Sequence, residues 1–212
     1  MNIQSPFQTK TWISALLWGS SWALSELTLG HLLHLFGFPG LAGFIMFPIG
    51  ATMMIRVFKE TGSRPAVFGA AALAAGLKLL DLFLPAPNLF TVINPALAIL
   101  SEGLVVSGLV IPMSTGRRRL RRLAVFGAAS LVWRPLYAGI LLILGFFLSI
   151  PSVLDLGQKQ LLLFFFLESL GNIIFFIPPL LLSGRMDQAP PKRLAPMAAM
   201  MFAAAAAAQI FF

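Results

Sequence analysis

The residues able to do chemistry are few, and they sit in apolar company. Glu26, Lys78, Asp81, Asn94, Glu102, Arg134, Glu168 and Asn172 all fall inside hydrophobic runs. A formal charge carried into hydrocarbon costs at least ~2.5–3.5 kcal/mol on insertion scales, so such residues persist where they face protein, water or a ligand. Spacing pairs several of them. Lys78 with Asp81 (i,i+3) and Glu168 with Asn172 (i,i+4) each share a helix face. Trp22 stands one turn before Glu26, and Trp133 and Tyr137 bracket Arg134. Aromatic faces beside charges and amides suit a flat, ring-containing small molecule held by stacking, cation–π contact and hydrogen bonds. In such a site Lys78 and Arg134 would meet an anionic or carbonyl group. Glu102 and Glu168 would accept from ring nitrogens or balance the cations. The same residues have a purely structural reading, in which Lys78 neutralises Asp81 and Arg134 pairs with Glu102 or Glu168.

Other chemistries are less well supplied. His31-x-x-His34 beside Glu26 and Asp81 offers nitrogen and oxygen ligands, but two histidines at a common spacing do not make a metal site the expectation. There is no cysteine, which removes disulfides, thiolate ligands and cysteine nucleophiles. No GxSxG, P-loop or dinucleotide fingerprint occurs, so no cofactor and no enzyme activity is expected. Besides a structural or assembly factor, two rivals to ligand capture stay open. One is a self-sufficient carrier or channel for a small solute. The other is an intramembrane enzyme using Glu26 and the two histidines for acid–base work.

The elements that must position these residues are hydrophobic spans. Of 212 residues, 58% are hydrophobic and 10% charged, and mean hydropathy is +0.91. That composition implies a single polytopic membrane domain over 1–212, all-α, with six to seven transmembrane helices. The runs are 12–36, 41–58, 65–84, 91–112, 120–148, 160–182 and 195–212. They lack barrel-style alternation, so the backbone must satisfy itself as helix. Pro48-Ile49-Gly50 predicts a kink or a partly re-entrant second span. The first run is expected to be retained, since it continues well past the weak cleavage-like Ala23-Leu24-Ser25. The last run, with its AAAAAA stretch, is expected at the periphery of the bundle.

Charge placement orients the chain. Net charge is +8, and Lys59, Arg64, the block Arg117, Arg118, Arg119, Arg121 and Arg122, and then Arg185, Lys192 and Arg193 fall in alternate loops. This predicts a cytoplasmic N-terminus in a cytoplasmic (inner) membrane. A basic block flanked by apolar spans reads as a loop beside anionic lipid, so no nucleic-acid partner is expected. With that orientation the polar set gathers at one depth, in the middle and outer leaflet.

Small residues add a further signal. Ala15, Gly19 and Ala23 recur at four-residue spacing, as do Ala70/Ala74 and Ala71/Ala75. Such faces let helices approach closely, within the bundle or onto a partner subunit. With GSRPAVFGAAALAAGLKLL and INPALAILSEGL, over about 12–182, the chain resembles the substrate-binding S components of energy-coupling factor (ECF) vitamin transporters. The resemblance implies a six-helix fold, an outer-leaflet pocket for a vitamin or precursor, docking through Ala15, Gly19 and Ala23 on a coupling membrane subunit, and energy from partner ATPases. A seventh hydrophobic run departs from that family's pattern.

Overall fold

The computed structural model describes residues 6–30, 32–33, 41–83, 89–115, 118–148, 157–182 and 194–211. His31 and His34 lie outside the described residues. Seven helical rods and no strand are present among the described residues. α1 is Pro6–Ser25, continued by a π turn at Glu26–Gly30. α2 is Leu41–Thr61. α3 is Arg64–Lys78, continued as a 3-10 turn over Leu79–Phe83. α4 is Phe90–Thr115 and α5 is Arg119–Leu148. α6 comprises Gln158–Leu162, a π stretch Leu163–Leu167 and Glu168–Leu182. α7 is Leu194–Phe211. By length and composition, Arg64–Phe83, Phe90–Ser114, Arg119–Phe147 and Gln158–Leu181 are each able to cross a membrane.

The turn between α2 and α3 shows how local sequence sets the fold. Gly62 takes a left-handed φ of +65°, and its N–H donates to the Phe58 carbonyl at 2.7 Å, closing α2. Ser63 then caps α3, its hydroxyl accepting from Ala66 N–H at 3.3 Å. Pro65 stands in the first turn, where no N–H is needed.

Packing then follows the small residues. α2 lies against α1, α3, α4 and α6, while α1 is held between α3 and α7. A Cβ added at Gly19 would lie 2.6 Å from the Ala70 carbonyl oxygen, and one at Gly103 would collide with the Ala71 methyl. Ala15 and Ala23 are buried, as are Ala70, Ala71, Ala74 and Ala75. The small-residue face of α1 therefore packs inside this chain, largely against α3. α7 lies along α1 with Ala198, Ala205 and Gln209 buried, while Met200 and Phe202 face outward. It is an edge rod with one packed face.

The outer surfaces of α5 and α6 are apolar. Leu142, Ile143, Phe146, Phe147, Leu170 and Ile174 are all exposed. A water-soluble protein rarely leaves so continuous an apolar surface uncovered, whereas lipid tails cover it readily. Several hydroxyls on the helices are satisfied internally. Ser21, Ser25, Thr52, Thr61 and Ser101 each donate to the carbonyl four residues earlier, at 2.7–2.9 Å.

The contact at Gly19 is with backbone, which cannot swing aside. Gly19→Leu is expected to destabilise the bundle by about 1–3 kcal/mol through overpacking. Gly69→Ala, where an added Cβ meets nothing within 4 Å, should leave the melting temperature in detergent unchanged or raised. Equal melting temperatures for Gly19→Leu and the parent chain would contradict this packing.

Candidate functional site

The centre of the bundle holds a buried guanidinium. Arg134 on α5 has no exposed surface. Its Nη1 donates to Glu168 Oε2 at 2.8 Å and its Nη2 to Asn172 Oδ1 at 2.9 Å. Glu168 and Asn172 present these groups from one face of α6, one turn apart, as their spacing predicts. The second structural alternative for Arg134, pairing with Glu168, is the direct contact. Ser130, one turn before Arg134, donates to the same Asn172 Oδ1 at 2.7 Å. Ser169 Oγ lies 3.2 Å from the Ser130 carbonyl and 2.8 Å from the Phe165 carbonyl.

Proline makes part of this network necessary. Pro48 in α2 has no N–H to give to the carbonyl of Phe44, four residues earlier. The Asn172 amide donates to that Phe44 carbonyl at 3.0 Å and to the Gly43 carbonyl at 2.6 Å. In an apolar surround, a carbonyl freed by proline must be matched by a neighbouring helix. One asparagine thus binds α2 to α6 with its Nδ2 and α5 to α6 with its Oδ1. Gly43 also lets Glu168 come close, since a Cβ there would lie 2.7 Å from Glu168 Oε2.

Aromatic rings wall the guanidinium. Arg134 lies over Trp133 at 4.7 Å and over Phe164 at 4.9 Å from the ring centroids. Phe47 of α2 stacks on Trp133 at 5.8 Å, and Tyr137 sits 6.1 Å from Trp133 and 6.2 Å from Phe164. Trp22 is elsewhere in the core, fully buried, with its indole pressed onto Gly50 of α2.

The remaining expected residues fall into two groups. Lys78 and Asp81 bind each other at 2.7 Å at the end of α3, both partly exposed. Glu26 and Glu102 form no ion pair within 4.0 Å among the described residues. Glu26, in the π turn, folds its carboxyl over Gly30 near Met46. It lies within electrostatic reach of Lys78 and Glu102, and Glu102 in turn of Arg134. Glu102 is 6% exposed. Among the described residues Glu102 Oε2, Asn94 Oδ1, Trp133 Nε1 and Arg134 Nε are buried with no hydrogen-bond partner. A buried polar atom left so costs about 1–3 kcal/mol, and in native proteins water or a ligand commonly supplies the partner.

Height along the bundle agrees. Counted from the helix ends near the basic residues at 1.5 Å per residue, Glu102, Arg134 and Glu168 stand about 20, 22 and 21 Å deep. Of two π stretches, one begins at Glu26 and the other ends just before Glu168. Such bulges are frequent at functional sites.

Sequence reasoning passed over several participants. Ser130, Ser169, Phe47 and Phe164 carried no charge to draw attention, although Pro48 does mark Phe44 as a carbonyl in need of a donor. A second polar cluster was also missed. Glu60 accepts from Ser14 at 2.7 Å and from the Trp18 indole at 3.1 Å, and pairs with Arg56 at 3.0 Å. No group of three or more metal-ligating side chains occurs among the described residues. Comparison with protein-family models, with curated proteins and with solved structures finds no match for this chain.

Removing the amide should cost far more than removing a hydroxyl. Asn172→Leu strips partners from Arg134, Ser130 and the carbonyls of Gly43 and Phe44, and is expected to cost about 3 kcal/mol or more. Ser130→Ala should cost about 1 kcal/mol. Equilibrium unfolding in mixed micelles measures both, and an Asn172→Leu loss no larger than that of Ser130→Ala would contradict the network.

Proposed function

We propose that this chain is a membrane-embedded substrate-capture subunit of the ECF S-component kind, binding a small ring-containing nutrient such as a vitamin or its precursor. All seven rods would cross the cytoplasmic membrane, N-terminus inside, which puts the Glu102–Arg134–Glu168 level toward the outside. The observation that carries the reading is the set of buried polar atoms without partners, on Glu102, Trp133 and Arg134, with an aromatic wall about the guanidinium. Sites for small ligands combine few polar groups with apolar and aromatic surface in this way.

The ion pairs refine the roles. Arg134 is already held by Glu168 and Asn172, and Lys78 by Asp81. Neither cation is therefore the first group to meet an anionic ligand. Glu26 and Glu102 are better placed to accept hydrogen bonds from ring N–H groups or to face a positive centre, with Trp133 and Tyr137 as stacking surfaces. Energy for import would come from partner subunits, a coupling membrane protein and ATPases, because the sequence holds no nucleotide-binding motif. Ala15, Gly19 and Ala23 are buried within the chain, so the coupling subunit would dock on another face. Toppling of the whole subunit would then carry the ligand across.

The test is ligand retention. Native mass spectrometry of gently purified protein should show a bound small molecule, and the same compound should raise the melting temperature. Glu102→Gln should weaken binding about tenfold or more with the fold intact, the loss of one charge-assisted hydrogen bond. Unchanged affinity in Glu102→Gln would remove Glu102 from the site. Transport by the chain alone in proteoliposomes would favour the self-sufficient carrier instead.

A further inference from the structure

Charge does not balance among the groups that act on one another inside the bundle. Glu102 lies within electrostatic reach of Glu26 and of Arg134, and Glu26 within reach of Lys78. Both of those cations are bound to other carboxylates. Lys78 holds Asp81 at 2.7 Å, and Arg134 holds Glu168 at 2.8 Å. Each of these pairs is neutral, so Glu26 and Glu102 are left with no counter-ion of their own among the described residues. Glu102 is 6% exposed, and its Oε2 accepts no hydrogen bond. The two carboxylates come from different elements, the π turn that continues α1 and the middle of α4. α2 and α3 pack against both α1 and α4 and hold them in place.

Two like charges in an apolar surround are costly, and charges inside membrane proteins are almost always paired. A neutral ligand could give Glu102 Oε2 an N–H but would leave the excess charge in place. An anionic ligand would add to it. A cationic ligand answers both the charge and the orphaned oxygen. We infer that the molecule captured here is a cation, a small aromatic ring bearing an amidinium, an ammonium or a charged ring nitrogen, with its positive centre between Glu26 and Glu102. The inference rests on the capture reading above and narrows it, since nutrients whose only charge is a carboxylate are excluded. The faces of Trp133 and Tyr137 suit the same ligand, because aromatic faces attract cations.

Benzamidine, benzamide and benzoate share one flat frame and differ in charge, so they serve as probes. Each is added to the purified protein in a neutral detergent, and affinity is read from the rise in melting temperature. Benzamidine should bind about tenfold or more tightly than benzamide, and benzoate should not bind. Glu26→Gln and Glu102→Gln should each remove most of that preference, and Gly69→Ala should keep it. Without a probe, Glu102→Gln should hold or raise the melting temperature, because it removes a charge with no partner, whereas Glu168→Gln should lower it. An equal loss in the two variants would make Glu102 a structural tie and overturn the inference. Equal binding of benzamidine and benzamide, or a preference for benzoate, would overturn the cationic class and leave the capture reading standing. A compound retained on native mass spectrometry supports the inference if it is a cation and overturns it if it is neutral or anionic. No shift with any probe and no retained compound would remove the capture reading, and this inference with it.

Discussion

A guanidinium with no exposed surface, in the middle of an apolar bundle, is the constraint around which this protein is arranged. Removing such a charge from water costs several kcal/mol even after relaxation, and only well-placed partners offset it. Arg134 has a carboxylate, an amide oxygen and two aromatic faces. Those partners come from α6 and from α5 itself, so the relative rotation of the two helices is fixed. A turn of α6 by one residue would swing Glu168 and Asn172 away together.

The constraint spreads to α2 through a covalent feature. Pro48 leaves a carbonyl without its helical donor, and Asn172 supplies one. The same side chain therefore answers a charge on one neighbour and a backbone defect on another. Close approaches at Gly43, Gly50 and Gly103 then bring the helices within reach. Polar groups define the register of the bundle, while small residues set its spacing. Near that level Glu102 Oε2 is left without a hydrogen-bond partner among the described residues.

Helical, membrane-type character was legible because hydropathy and lack of strand alternation act within each segment. So were the intrahelical pairs, since Lys78 with Asp81 and Glu168 with Asn172 follow from helix geometry alone. The partner of Arg134 was not, because Glu102 and Glu168 are chemically alike and only packing decides between them. Ser130 and Phe164 escaped notice for the same reason, their roles existing only across helices. The small-residue face of α1 was legible as a close-packing surface, but its occupant, α3, was not.

A double-mutant cycle on Arg134→Met and Glu168→Gln bears most directly on the central constraint. If the two groups hold each other, each single change is costly and the pair together costs much less than their sum, giving a coupling of about 2 kcal/mol or more. Additive losses, with a coupling near zero, would mean that Arg134 and Glu168 do not depend on one another and that the arrangement described here is wrong at its centre.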